Sequence, residues 1–125
     1  MSSGPTFLLV IGEHDKGFGE PFSAGTVSGR RLRAITGTLE IAVAFANMAT
    51  PERTSPTKRR ILALQRQASR AAAVVFLGRR VEQALREHIP HGRYLPHPAA
   101  RRRVDAVALR EGLVALAQHA SPHRE

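Results

Sequence analysis

At 125 residues, 42% of them hydrophobic, the chain is long enough for one core and too short for two domains of ordinary size. It carries 19 Lys plus Arg against 10 Asp plus Glu, a formal charge of +9, which draws polyanions such as DNA or RNA, although only Lys16 and Lys58 are lysines and a GC-rich genome alone can impose such an arginine bias. The absence of cysteine excludes disulfides, zinc-thiolate sites and cysteine-bound iron-sulfur clusters.

The run Phe7 to Ile11, ended by Gly12, predicts a strand buried on both faces and so a parallel sheet. It is far too short to cross a bilayer and has no basic flank, so a cytoplasmic protein is expected. A loop rich in Gly, Pro and charge follows. From Thr26 or Ser28 the pattern turns helical, with Val27, Leu32 and Ile35 in register and Gly37 as a stop. Ile41 to Met48 reads as a second strand, with β-branched and aromatic residues at Ile41, Val43 and Phe45 and with Asn47 at its exit. Residues 49 to 57 hold Pro51 and Pro56 and predict a surface loop, after which Thr57 caps a helix. On that helix Ile61, Leu62, Leu64 and Ala68 share one face, and Lys58, Arg59, Arg60, Arg66 and Arg70 lie mostly outside it.

Ala72 to Leu77, closed by Gly78, is a third strand, and Val81, Ala84 and Leu85 mark a helix that Pro90 is expected to end. Tyr94 and Leu95 begin a short fourth strand that runs into Pro96-His97-Pro98. The last helix is expected from after Ala100 to about Ala120, its apolar side made by Val104, Val107, Leu109, Leu113, Val114 and Leu116. Strands alternating with helices predict an α/β fold: a three-layer α/β/α sandwich around a four-stranded parallel sheet, one domain over 1–120 with a frayed tail at 121–125.

In such sheets ligands bind beyond the carboxyl ends of the strands, where loops converge and helix N-termini point outward. The loops there supply Glu13, His14 and Asp15, then Glu20, Phe22, Asn47 and His97. The set suits a planar heterocycle: Asn offers a donor and an acceptor to a base edge, Phe a stacking face, and neutral His a proton to a carbonyl oxygen. Each residue also has a plainer use. Phe22 can plug its loop against the core, Asn47 can cap a turn, and Glu13 can be a surface acid. Arg101, Arg102 and Arg103 open the last helix, where cations oppose the helix dipole, so they are either phosphate contacts or a solvated run. The scattered His14, His88, His91, His119 and His123 do not make a metal site; Gly17-Phe18-Gly19 lacks the rest of a dinucleotide fingerprint, and no Gly-Lys-Ser/Thr phosphate loop exists. No cofactor is expected.

The spacing of these loops carries a resemblance. Gly12-Glu13, then Gly19-x-Pro21-Phe22-x-x-Gly25, then Gly29-Arg30-x-Leu32 resembles the first motif of the bacterial and archaeal type of uracil-DNA glycosylase. Asn47 stands where that family keeps a base-reading Asn. Val74-Val75-Phe76-Leu77-Gly78-Arg79 is similar to its third strand and turn, and Leu95-Pro96-His97-Pro98-Ala99-Ala100 to its His-Pro loop before the last helix. The likeness runs in order through most of residues 7 to 118.

The resemblance implies that Phe22 stacks on a base turned out of the helix, that Asn47 bonds its edge, and that His97 stabilises negative charge on the base as the N-glycosidic bond breaks. The family's Gly-Glu is followed by Pro-Gly and further acids, whereas His14-Asp15-Lys16 follows here, so Glu13, Asp15 and Glu20 are all candidates for handling water. Lys58-Arg59-Arg60-Ile61 is similar to a basic loop of a covalently DNA-linking branch, but Leu62 stands where that branch has a His. The implied function is recognition of uracil or a modified base in single- or double-stranded DNA, with or without hydrolysis, aided by a protein partner that supplies further DNA contacts. The alternatives are a non-catalytic nucleic-acid binder and a protein acting on free nucleotides.

Overall fold

In a computed structural model of the chain, residues 7–13, 21–50, 55–99 and 102–120 are described. Four strands and four helices alternate: β1 Phe7–Gly12, α1 Val27–Thr36, β2 Ala42–Asn47, α2 Lys58–Arg70, β3 Ala73–Leu77, α3 Arg79–Leu85, β4 Arg93–Leu95 and α4 Arg103–Ala120. The strands form one parallel sheet in the order β2-β1-β3-β4. Gly12 lies opposite Asn47, Ile11 opposite Phe76, and Leu77 opposite Leu95, so the exits of all four strands share one end of the sheet.

Both faces are covered, as the continuous apolar runs of β1 and β3 require. Leu9, Ile11, Val74 and Phe76 point to one face and meet Leu64 and Ala68 of α2 and Val81 and Leu85 of α3. Val10, Val75 and Leu77 point to the other and meet Leu32 and Ile35 of α1 and Leu109 and Leu113 of α4. The chain is therefore an α/β three-layer sandwich. Alternation along a strand divides the apolar residues between two cores, and each fully buried Leu, Ile or Phe contributes about 1.5–3 kcal/mol by leaving water.

Local chemistry sets the helix starts. Thr26 accepts from the Gly29 amide, and Thr57 accepts from the Arg60 amide. Helix α3 ends at Leu85, five residues before Pro90: the chain turns there to bury Ile89, and the Arg86 guanidinium donates to the carbonyls of Pro90 (3.1 Å) and Gly92 (2.6 Å). Four apolar residues assigned to helix faces by periodicity are exposed instead, namely Val27, Leu62, Val104 and Val107. Periodicity locates a stripe; packing decides where its centre lies, and on α4 the centre is Leu109, Leu113 and Ala117. Among the described residues no helix is long and apolar enough to cross a membrane. The tail 121–125 lies outside the described residues.

Candidate functional site

The connection leaving β1 passes over one face of the sheet through α1, while that leaving β3 passes over the other through α3. β1 and β3 are neighbours, so their exits form the topological switch point, where a doubly wound sheet opens a crevice. Of the nine candidate site residues, Asp15, Glu20 and Arg101 lie outside the described residues. Glu13, Phe22, Asn47 and His97 all fall at this end of the sheet, and Arg102 and Arg103 open the helix that follows His97.

Phe22 is set into its place by three contacts. Its backbone adopts φ 51°, a left-handed conformation that costs a non-glycine residue on the order of 1 kcal/mol or more. Arg33 holds it there: Nε donates to the Phe22 carbonyl (2.6 Å), Nη2 donates to that of Pro21 (3.2 Å), and the guanidinium lies 4.8 Å from the Phe45 ring centre. The ring packs tilted against Phe45 at 5.7 Å and fills the space over Gly12, where a Cβ would come within 2.3 Å of it. The half-buried ring thus closes the end of β1 on one side, and Gly12 is required because any side chain would displace it.

Asn47 is 8% exposed and stands opposite Gly12 at the exit of β2. Its amide makes no hydrogen bond with the described residues, yet none of its polar atoms is sealed from solvent. It opens into a cleft of about 330 Å³ along the outer edge of β2, lined also by Pro21, Phe45, Thr50, Arg60 and Gln67. That volume lies at the lower end of the range for small-molecule sites. An unfilled amide donor and acceptor, a second amide from α2 and a guanidinium at the mouth can bind a planar polar ring carrying a phosphate.

Glu13 continues from β1 and accepts from Arg80 Nη1 at 2.8 Å, so an ion pair spans the switch point. Only Oε2 is engaged in this pair, so Oε1 keeps lone pairs that can accept from water. His97 lies over the exit of β3: a Cβ on Gly78 would sit 3.7 Å from its Cβ and 3.8 Å from its Cδ2. Gly78 has φ 96°, so glycine is needed there for backbone conformation. The Ala99 amide donates to His97 Nδ1 at 3.0 Å, which places the proton of the neutral ring on Nε2. Neither Glu13 nor His97 lines the cleft beside Asn47, which stands about two strand spacings, roughly 10 Å, from the β3 exit.

Arg102 and Arg103 are exposed, and Arg102 Nε lies 4.0 Å from Asp105. The residues that the motif reading missed are Arg33, which holds Phe22, Arg80, which pairs with Glu13, and Gln67, which shares the cleft with Asn47. Arg33 lies 11 residues from Phe22 and Arg80 lies 67 residues from Glu13, and no local signal marks either or Gln67. Among the described residues no group of three or more His, Cys, Asp or Glu is placed to hold a metal ion. No protein-family model matches the chain, and no curated protein matches it significantly.

Proposed function

We propose that this protein recognises a nucleobase in DNA, with uracil as the default base, in the manner of the uracil-DNA glycosylase superfamily that its loops resemble, and that it acts in the cytoplasm. The observation that carries the reading is Asn47, a buried amide without a described hydrogen-bond partner that opens into a base-sized cleft. Its polar atoms reach solvent through the cleft, where a ligand can replace water as their hydrogen-bond partner. Support comes also from His97, which stands over the exit of β3, and from exposed Arg60, Arg102 and Arg103 around the strand ends, which would meet phosphate. The catalytic form of this reading, which the resemblance implies, gives His97 the charge that the departing base gathers and Glu13, Asp15 or Glu20 the water. It needs His97, which does not line the Asn47 cleft, to reach the same base, and it needs the Phe22 ring to leave its packing on Gly12 and Phe45 to stack.

The separation of His97 from the Asn47 cleft favours a second reading, in which the pocket binds a base and does not cleave. The test of recognition is the preference of the protein for uracil-containing over thymine-containing oligonucleotides. Asn47→Ala is expected to abolish that preference with little change in Tm, because the amide makes no described bond within the fold. A preference unchanged in Asn47→Ala removes Asn47 from recognition.

A further inference from the structure

On the face of the sheet covered by α1 and α4, the two helices leave a groove of about 480 Å³. Its floor is apolar, built from Ala34 and Ile35 of α1 and Ala106, Val107 and Leu109 of α4. Its rim is cationic, with Arg31, Arg102, Arg103 and Arg110. The small Ala34 and Ala106 leave the space open, and Val107 remains 44% exposed beside it. Arg31 is anchored, its Nη1 donating to the Pro98 carbonyl at 3.3 Å, so one wall of the groove is tied to the loop that carries His97.

We infer that this groove docks an acidic amphipathic helical segment of a partner protein. The apolar floor takes aliphatic side chains at i, i+3, i+4 and i+7 spacing, and the arginine rim takes the carboxylates flanking them. The volume admits a few aliphatic side chains. Two other occupants fit less well. A nucleic-acid strand would use the arginines but gains nothing from an aliphatic floor, and among the described residues no aromatic ring lines the groove to stack a base. A second copy of this chain would bring its own excess of positive charge, +9, against a rim of four arginines. Because Arg102 and Arg103 also stand beside the strand-end site, an acidic segment seated here would compete with DNA for them.

The experiment is fluorescence anisotropy of the full chain with a labelled peptide that has leucines at i, i+3, i+4 and i+7 and glutamates elsewhere. A scrambled peptide of the same composition and a single-stranded oligonucleotide are run alongside. The variants are Arg103→Glu with Arg110→Glu, and Val107→Asp, all at exposed positions, with Tm and circular dichroism as controls of folding. The patterned peptide should bind at least about tenfold more tightly than the scrambled one, and both the arginine variant and Val107→Asp should weaken it about tenfold. Equal binding of the two peptides, or indifference to Val107→Asp, overturns the proposal. So does an oligonucleotide that depends on Arg103 and Arg110 while the peptide does not.

Discussion

Substituting Gly12 by alanine tests the physical link between the end of β1 and the Phe22 loop. The new methyl would stand 2.3 Å from the Phe22 ring, which real contacts do not permit, so the ring must leave or the strand must move. The strand is held between β2 and β3, so the half-buried ring yields. Swinging it out forfeits about 1 kcal/mol of apolar burial and about 0.5–1.5 kcal/mol from its packing with Phe45, a loss near 2 kcal/mol. The assay is urea denaturation of wild type, Gly12→Ala, Phe22→Ala and the double variant. If the clash is the mechanism, Gly12→Ala costs about 2 kcal/mol alone and within about 0.5 kcal/mol of nothing once Phe22 is Ala, a strong coupling between the sites. Strictly additive losses would refute the packing described for Phe22, and so would a Gly12→Ala protein as stable as wild type.

Leu113 is fully buried between α4 and the sheet, so Leu113→Ala should lose about 2–5 kcal/mol by denaturation, while Val107→Ala, at an exposed position, should lose little. Glu82 accepts a hydrogen bond from Arg86, which holds its carboxyl below the ordinary range against the opposing effect of desolvation, with Arg79 adding to the depression. A carboxyl depressed in the folded state contributes stability above its unfolded pKa and loses it as pH falls through the folded value. Glu82→Gln should therefore lower Tm at neutral pH and leave it unchanged at about pH 2, below the carboxylate range. A difference that persists undiminished in acid assigns the effect to something other than this charge.

The fold was legible because β1 and β3 are continuous apolar runs closed by Gly12 and Gly78, and because Thr57 and Gly37 bound their helices through short-range chemistry. Such signals are local and survive in one dimension. The placement of Asn47 and His97 at strand exits was legible for the same reason. What those side chains touch was not. The Arg80 partner of Glu13 arises where distant segments meet, the Arg33 hold on Phe22 depends on how its loop folds back on α1, and nothing in the spacing of Glu13 announces a cation across the crevice. Periodicity also placed Val27, Val104 and Val107 inward, whereas the sheet is covered by only part of each stripe. Two of those misplaced valines belong to α4, and one of them, Val107, lines the arginine-rimmed groove.

The most direct test of the account is incubation of the purified protein with end-labelled single- and double-stranded DNA carrying one uracil, followed by alkali, with His97→Ala alongside. The account predicts a preference for the uracil strand over its thymine counterpart, and in its catalytic form also scission at the uracil, reduced in His97→Ala by roughly 10²–10³, the usual cost of losing a donor to developing charge. No scission together with no preference for the uracil strand over its thymine counterpart would contradict it.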